Sequence, residues 1–309
     1  MPGLGVINNP HSRRNRKDPF GMECLAYIVG SQGVVAATRD VDDVYEAARL
    51  FKKERIEVLG INGGDGSNHV TLTAFIEVYG DTPLPKIAFL RGGTMNTISN
   101  ACGIRGEPAG IILNLVRKLR DRIPFETIRR DTLKIEGRYG FIFGNGIIAN
   151  FLDAYYATQA PSPAMAVRLL GKGVGSAAVR GRFANELFRR FRAEVAVDGK
   201  RWPLRSYTAL AAATVHQIGL GFTPFFRCEQ EPHSFHFLGV KCSPASFAAS
   251  LPTIWLGRKV SERKIDECVA RRVEIEAEEP FHYTLDGDIH RAGRSLVIEV
   301  GPRLEIVRC

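Results

Sequence analysis

The sequence predicts an α/β N-terminal domain with a doubly wound parallel sheet, followed by a β-sandwich-like second domain. In the first 120 residues, apolar strands alternate with amphipathic helices, which is typical of a parallel sheet covered by helices. Beyond residue 125, short alternating segments are joined by Gly-, Asp- and Pro-containing turns, as in a β-sandwich. We therefore expect two domains, at 1–128 and 129–309.

The N-terminal alternation contains four apolar segments that are predicted strands. They are LGVIN (4–8), GVVAATR (33–39), RIEVLGI (55–61) and KIAFL (86–90). The segment after the second strand has four apolar residues at helical spacing, namely Val44, Ala47, Ala48 and Phe51. Acids crowd the start of this segment, which favours a helix N-terminus there.

Two further helices are predicted, and the second domain receives one insertion. HVTLTAFIEVYG follows the third strand and ends at Gly80, and EPAGIILNLVRKLR (107–120) has Pro108 near its start. A helical, strongly basic insert is expected at 158–193, within the β-rich domain.

Two glycine turns follow predicted strands directly. GGDGS (63–67) comes after the third strand, and GGTMN (92–96) comes after the fourth. A turn between a strand and a helix N-terminus gathers backbone N–H groups and a helix dipole, and glycine lets a phosphate approach the backbone closely. Neither turn fits G-x-x-x-x-G-K-[ST] or G-x-G-x-x-G, so a conventional P-loop or dinucleotide fold is disfavoured.

One glycine turn alone is as well explained by chain reversal as by ligand binding. Two such turns at the carboxyl ends of parallel strands indicate a ligand site, because ligands of open α/β sheets bind at that edge. Asp65 is electrostatically unusual beside a phosphate. A Mg²⁺ ion or a role in proton transfer would account for it, and the alternative is a turn-forming residue.

GGDGS resembles the GGDGT signature of the diacylglycerol kinase catalytic-domain family, which includes sphingosine kinases and bacterial lipid kinases and is distantly similar to NAD kinases. Other segments are similar to motifs of the same family in the same order. NNPHS (8–12) is similar to the family's NPxSG, AATR (36–39) to the segment with its nucleotide-side threonine, and FLRGGTMN (89–96) to its PxGTxND. In the second domain, FGNGIIANFLDAYY (143–156) is similar to the segment that opens that domain, and LDGD (285–288) is similar to a late DGE.

The resemblance implies an enzyme that uses ATP and Mg²⁺ and transfers the γ-phosphoryl group to the hydroxyl of a lipid, such as diacylglycerol or a sphingoid base. It assigns Asp286 as the general base, with Asp65 as a rival, and it names no residue as a metal ligand. The residues that it assigns to the nucleotide are Asn9, Ser12, Thr38, Gly63, Gly64, Asp65, Gly66, Ser67, Gly93, Thr94, Asn96 and Asp288.

Four positions depart from the family pattern. Arg13 replaces a glycine, Ser67 a threonine, Asp288 a glutamate, and Thr97 the aspartate of GTxND, which belongs to a metal-linked network in the family. Two alternatives therefore stay open. One is a nucleotide-binding regulatory protein with the same fold and little turnover, and the other is a kinase of a small soluble alcohol or a nucleotide.

The charge of the chain favours acidic partners. Lys and Arg number 42 against 33 Asp and Glu, a net charge of +9. Segment 168–205 holds ten Lys and Arg against three acids, together with aromatic and aliphatic residues. This pattern fits an anionic membrane surface, and an ordinary surface helix that covers the sandwich is an equal alternative. Nucleic acid is disfavoured, because no binding motif occurs.

No apolar run reaches the length of a membrane helix and no signal peptide is recognisable, so we expect a cytoplasmic protein that associates peripherally with the membrane. A homodimer stays open. Six scattered cysteines indicate reduced thiols rather than a disulfide framework. Zinc ligation is disfavoured for the nearest cluster of ligand types, Cys228, His233, His236 and Cys242, because their spacing matches no common zinc pattern.

Overall fold

The computed structural model describes residues 3–158 and 162–308, which form two compact units. Unit 1 contains the residues up to Arg130 and those from Pro302 onward, and unit 2 is Asp131–Gly301. The sequence-based division places the residues from Pro302 onward in the second domain. It does so because apolar and polar residues alternate in the same way on both sides of Gly301. The domain boundaries at 1–128 and 129–309 stay a prediction.

Unit 1 contains a parallel sheet in the order β2-β1-β3-β4. Its strands are β1 (Leu4–Asn8), β2 (Gly33–Ala37), β3 (Val58–Asn62) and β4 (Lys86–Phe89). Every residue of β1 and β3 is buried, as expected for central strands that are covered on both faces. The register pairs Asn8 with Asn62, so two asparagines end adjacent strands side by side. The predicted parallel sheet is confirmed.

Six helices connect these strands or follow them in the described part of unit 1. They are α1 (Arg13–Lys17), α2 (Pro19–Val29), α3 (Val41–Glu54), α4 (Asp65–Tyr79), α5 (Thr97–Ala101) and α6 (Pro108–Arg120). The buried side of α3 consists of the four residues that the helical spacing predicted. Helix α3 packs on α4, and α2 packs on α6. Gly80 ends α4 with a φ of 53°, a conformation that favours glycine.

Unit 2 is built mainly of antiparallel strands, and two strands cross its borders. The strands are β5 (Thr127–Ile135), β6 (Arg138–Gly140), β7 (Ile142–Asn145), β8 (Phe191–Val197), β9 (Lys200–Arg201), β10 (Ser206–Tyr207), β11 (Ala209–Ala213), β12 (Phe235–Val240), β13 (Ile265–Ala270), β14 (Arg272–Ala277), β15 (Phe281–Leu285), β16 (Asp288–Ala292) and β17 (Ser295–Val307). The end of β17 belongs to unit 1, where Ile306 pairs with Ile87 of β4.

Two sheets of unit 2 share one apolar core. One sheet has the order β13-β12-β11-β7-β15-β16, and the other contains β10-β8-β14-β17. Phe143, Phe237 and Tyr283 of the first sheet lie in the same buried cluster as Val195 and Ile275 of the second. Side chains of two sheets that meet in one core define a sandwich. The predicted β-sandwich-like second domain is therefore confirmed.

The helices of unit 2 are α7 (Ile147–Tyr156), α8 (Pro163–Ala178), α9 (Arg182–Leu187), α10 (Pro244–Ala248) and α11 (Leu251–Trp255). The expected basic insert at 158–193 includes residues 159–161, which lie outside the described residues. Its helical part ends at Leu187, and β8 begins at Phe191 because Ala193, Val195 and Val197 alternate into the core. Among the described residues, none of the helices has the length and apolar character needed to cross a membrane.

Candidate nucleotide site

The two glycine turns of unit 1 touch each other backbone to backbone. They follow the adjacent strands β3 and β4. A Cβ added to Gly93 would lie 2.5 Å from Cα of Gly64, and one added to Gly92 would lie 2.4 Å from Oδ1 of Asn62. Real Cβ atoms do not approach other atoms so closely, so this contact requires glycine. The turns therefore form one continuous surface of backbone at the carboxyl edge of the sheet.

The N-terminus of α4 lies within this surface. Gly64 caps the helix, and the first intrahelical bond joins N–H of Asn68 to the carbonyl of Gly64 at 3.0 Å. The N–H groups of Gly66 and Ser67 come before this ladder and have no intrahelical acceptor. Together with the helix dipole they provide the donors that an anion requires.

Asp65 directs its charge away from the start of α4. Its two carboxylate oxygens accept the N–H groups of Thr97 at 2.9 Å and Ile98 at 3.1 Å, in the first turn of α5. The carboxylate thus binds the second glycine turn to the first and interacts favourably with the α5 N-terminus. This contact gives the carboxylate its own hydrogen-bond donors, away from the N–H groups of Gly66 and Ser67.

Asn96 closes the second glycine turn on itself. Its amide oxygen accepts N–H of Gly93 and its amide nitrogen donates to the Gly93 carbonyl, both at 3.0 Å. Its backbone is left-handed, with a φ of 50°, which asparagine tolerates better than most residues. Thr94 is exposed at the tip of the turn. Asn96 therefore shapes the turn, while Thr94 faces outward.

The residues from the first motif pack against both glycine turns. Asn9 Nδ2 donates to Oγ of Ser67 at 2.8 Å, and Ser12 Oγ donates to the carbonyl of Gly92 at 3.0 Å. A Cβ added to Gly63 would lie 2.3 Å from Cβ of Ser67. The Asn9–Ser12 segment therefore contacts each turn through one side chain.

Thr38 lies at the same edge of the sheet, after β2. Its N–H donates to the carbonyl of Asn8 at 3.0 Å, and the residue is buried. The unit 1 residues that the resemblance assigned to the nucleotide thus follow the carboxyl ends of β1, β2, β3 and β4.

A buried asparagine network beneath the turns was missed by the sequence analysis. Asn62 Nδ2 donates to Oδ1 of Asn8 at 2.8 Å. Asn15 Nδ2 donates to the carbonyls of Asn9 at 2.7 Å and Asn62 at 3.1 Å. The signal for it was the final asparagine of LGVIN and VLGIN, at paired positions of β1 and β3. The network fixes the edge from which both turns leave.

The two glycine turns, the end of β3 and the start of α4, together called the cradle below, contain two buried acceptors without a hydrogen bond among the described residues. They are Oδ1 of Asn62 and Oδ1 of Asn68. The glycine-lined backbone surface and the helix N–H donors fit a phosphate, whereas the two amide oxygens require a hydrogen-bond donor or a cation. Asp65 is the one acid in the two turns. A carboxylate has about four lone-pair sites, so Asp65 can accept its two N–H bonds from α5 and also join substrate phosphates as a ligand of a nucleotide-bound magnesium ion.

Arg91 stabilises the chain on the far side of the second turn, and the sequence analysis missed this role also. Its guanidinium donates to Oδ1 of Asn100 at 2.6 Å and to the carbonyl of Ile104 at 2.7 Å. Burial, with a smaller contribution from the nearby Arg14, lowers the pKa of Arg91, and Asp65 opposes the shift. Arg14 itself pairs with Glu107. Arg91 therefore holds the second turn against residues 100–104.

Asp286 and Asp288 belong to unit 2, where they form the hairpin between β15 and β16. Asp286 and Gly287 have φ angles of 50° and 95°, and Leu285 pairs with Asp288. Positive φ at both central residues is characteristic of a type I′ turn, which favours Asp-Gly. LDGD is therefore also a hairpin sequence, and Asp288 is the first residue of β16.

The Asp286 carboxylate binds the backbone between β6 and β7. Its Oδ1 accepts N–H of Phe141 at 2.9 Å and of Ile142 at 2.8 Å, and its own N–H donates to the Ile142 carbonyl at 2.9 Å. Bonds from backbone N–H groups stabilise a carboxylate in its charged form.

Asp198 reproduces this geometry in another hairpin of unit 2. Asp198 has a φ of 47° and is followed by Gly199. Its Oδ1 accepts N–H of Arg271 at 3.0 Å and of Arg272 at 2.8 Å. Asp198 is exposed, whereas Asp286 is buried. The hydrogen bonds of Asp286 are thus those of an Asp-Gly hairpin, and its burial is what distinguishes it.

Residues 3–127 match the family model of the diacylglycerol kinase catalytic domain. The resemblance that the glycine turns predicted is confirmed over this segment. A search of curated proteins found no match.

The fold is similar to solved structures from Bacillus anthracis. A diacylglycerol kinase structure shares 15% identity with a TM-score of 0.68, covering 100% of this chain and 97% of the other. Two structures described as a putative diacylglycerol kinase share 16% identity with a TM-score of 0.73, covering 100% of this chain and 96% or 97% of theirs. The whole chain thus has the fold of these proteins.

The family match supports a lipid-kinase-like function, which means a phosphotransferase with an alcohol group as acceptor. It concerns the segment that contains the glycine turns, Asp65 and the asparagine network.

Proposed function

We propose that this protein is an ATP-dependent lipid kinase that transfers the γ-phosphoryl group to the hydroxyl of a lipid such as diacylglycerol or a sphingoid base. The observation that carries the proposal is the backbone contact between the glycine turns, with Gly93 against Gly64 at the start of α4. When bound, ATP would supply the phosphoryl group and Mg²⁺ would neutralise its developing charge.

The residues of unit 1 bind and position the phosphates in this proposal. The N–H groups of Gly66 and Ser67 donate to phosphate oxygens at the helix N-terminus. Gly63, Gly64 and Gly93 keep the surface free of side chains, so the phosphates reach the backbone. The nearby residues Asn9, Ser12, Thr38, Thr94 and Asn96 hold the turns in place or contact the nucleotide.

Asp286 is the proposed acceptor of the hydroxyl proton, and Asp65 is the rival. Asp65 has both oxygens engaged with α5, which supports a positioning role. Asp286 also accepts backbone N–H groups, but it is buried, unlike Asp65, and the resemblance assigns it as the base. Phosphoryl transfer depends mainly on positioning and charge neutralisation, so each aspartate contributes even if it never carries the proton. Asp288 is assigned to the nucleotide by resemblance alone.

The surface of unit 2 supports contact with an anionic membrane. Val167, Val174 and Val179 are exposed in and after α8, and Trp255 is exposed at the end of α11. Segment 168–205 contributes ten cationic residues to the same unit. Exposed apolar groups among cations are suited to the headgroup region of an anionic bilayer.

The experiment is transfer of label from radiolabelled ATP in the presence of Mg²⁺ and mixed micelles that contain diacylglycerol, sphingoid bases or a total lipid extract. The purified full chain is compared with Asp65→Asn, Asp286→Asn and the matched control Asp198→Asn. Asp198 occupies the equivalent position of another Asp-Gly hairpin, and its carboxylate also accepts two consecutive backbone N–H groups. It therefore controls for loss of the turn.

Label in a lipid, with a rate lowered about 10²-fold or more in Asp286→Asn but unchanged in Asp198→Asn, supports the kinase and its base. Equal rates in the two variants reject Asp286 as the base. Absence of lipid labelling, with ATP still bound, rejects the lipid kinase. Labelling of a soluble alcohol would then favour the small-molecule kinase. No labelling of any acceptor would favour the regulatory protein, in which Thr97 stands in place of the family aspartate.

A further inference from the structure

Three side chains of unit 2, called the relay below, form a compact cluster outside the candidate nucleotide site. Cys228 Sγ lies 3.3 Å from Nδ1 of His216, and Nε2 of the same imidazole lies 3.1 Å from Oε1 of Glu229. His216 follows β11, and Cys228 and Glu229 precede β12. A thiol, an imidazole and a carboxylate are thus brought together from two ends of one connecting segment.

The glutamate determines which imidazole nitrogen carries the proton. The negative charge of the Glu229 carboxylate, 3.1 Å from Nε2 of His216, favours the tautomer that carries the proton on Nε2. In the neutral ring, Nδ1 is then the acceptor and receives the thiol proton of Cys228. A nucleophile next to a base that a third group orients is the arrangement that activates a cysteine.

We propose that Cys228 is a reactive, oxidant-sensitive cysteine whose thiolate forms by proton transfer to His216, with Glu229 as the positioning residue. Its substrate class is small peroxides. Cys228 is only 4% exposed, whereas the His216 side chain is 40% exposed. Burial therefore restricts access to the thiol to small reagents, while the imidazole is open to water.

The reaction with hydrogen peroxide is balanced within the relay. The Cys228 thiolate attacks one peroxide oxygen, so an S–O bond forms as the O–O bond breaks. The His216 imidazolium gives its proton to the departing hydroxide, which leaves as water. Sulfur is oxidised by two electrons to the sulfenic acid, and the peroxide is reduced.

A metal ion is the competing occupant of this cluster. One ligand atom from each of the three residues lies within 4.8 Å of the others, and zinc binds all three ligand types. However, the imidazole uses both ring nitrogens in its present contacts, and only one of them can bind the same ion as its neighbours. An ion would therefore replace one of the two contacts, whereas the relay uses both.

The test measures oxidation of each cysteine in the reduced full chain. The protein is treated with limiting hydrogen peroxide and dimedone, and sulfenic acid is mapped by peptide mass spectrometry. Cys24, which is more exposed, and Cys242, which is also buried at 7% exposure, are internal controls. Because a few per cent of an ordinary thiol is ionised at neutral pH, we expect Cys228 to react about tenfold faster than Cys24 or more.

Two variants separate the relay from simple packing. Glu229→Gln, at an exposed position, should lower the Cys228 rate by about threefold or more, and His216→Gln should bring it to the level of Cys242. The pH profile of iodoacetamide labelling gives a second readout. Labelling of Cys228 should vary little between about pH 6 and about pH 8, whereas labelling of free cysteine, added as a standard, rises with its ionised fraction.

Three results would overturn the proposal. The first is a Cys228 rate no higher than that of Cys242. The second is a rate and pH profile unchanged in Glu229→Gln, which excludes the relay even if His216→Gln fails to fold. The third is stoichiometric zinc that stays with the purified protein and is lost in Cys228→Ser, since this would identify a metal site.

Discussion

Replacing Gly93 by alanine tests the contact between the two glycine turns. The added Cβ would lie 2.5 Å from Cα of Gly64 and 3.0 Å from Oδ1 of Asn96. Carbon atoms in contact stay about 3.5–4.0 Å apart, so the turns must separate by roughly 1 Å. Gly93 does not have a positive φ, so the penalty is steric rather than conformational.

The expected cost follows from this overlap. Overpacking a closely packed site lowers the free energy of unfolding by about 1–3 kcal/mol. A shift of about 1 Å in a positioning element lowers catalysis by about 10²-fold. We therefore expect Gly93→Ala to lower the free energy of unfolding by about 1–3 kcal/mol. We also expect it to bind ATP at least about tenfold more weakly, which is about 1.4 kcal/mol of binding free energy.

Gly110→Ala is the matched control in the same unit. Gly110 lies in α6, and a Cβ added there meets nothing within 4 Å. Alanine should stabilise this helix by about 0.5–1 kcal/mol and leave nucleotide affinity unchanged. Urea unfolding and calorimetric titration of ATP measure both effects. If Gly93→Ala matches Gly110→Ala in stability and affinity, the turns do not form a cradle of this kind.

Three further predictions concern the polar side chains of His236, Asp65 and Asn15. Burial, followed by the charge of Arg227, lowers the pKa of His236 from 6.5 to about 3. Between these pH values the unfolded chain binds a proton that the folded chain does not, so the free energy of unfolding falls as the pH falls. This group should contribute about 1.4 kcal/mol per pH unit, measured by urea unfolding. Asp65→Asn leaves one N–H of α5 without its carboxylate acceptor and should lower the free energy of unfolding by about 1–3 kcal/mol. Asn15→Ala removes the donor to two carbonyls beneath the turns and should cost about 1–3 kcal/mol, with weaker ATP binding in calorimetric titration.

Each of these predictions has a result that would contradict it. A His236→Asn variant with the same pH slope as the parent chain would show that another group titrates. Asp65→Asn at full stability would mean that its bonds to Thr97 and Ile98 contribute nothing net. For Asn15→Ala the control is Asn185→Ala, an exposed amide, and equal stability of the two would exclude a role for the buried network.

The sequence by itself determined the fold class and the position of the two glycine turns at the carboxyl edge of the sheet. Helical spacing in α3 and apolar runs in β1 and β3 specify these elements locally, because burial of one helix face or of a whole strand is recorded in consecutive residues. The glycine turns were recognisable for the same reason, since each is a short contiguous segment between a strand and a helix.

Only the tertiary structure decided what the polar residues at this edge do. Asp65 bonds to residues 32 and 33 positions away, and Asn62 bonds to Asn8, 54 positions away. Spacing along the chain carries no signal at such separations. The relay of His216, Cys228 and Glu229 was missed for a related reason, because a connecting segment without periodicity brings its ends together.

The sequence also left the meaning of LDGD undecided. Asp-Gly satisfies both a family motif and a type I′ hairpin, and the two interpretations use the same letters. The structure adds that Asp286 is buried while Asp198, in an equivalent hairpin, is exposed. Burial depends on how the whole sandwich packs, so no local pattern could provide it. Local patterns thus specified the strands, helices and turns, and packing between distant segments decided the surroundings of each charge.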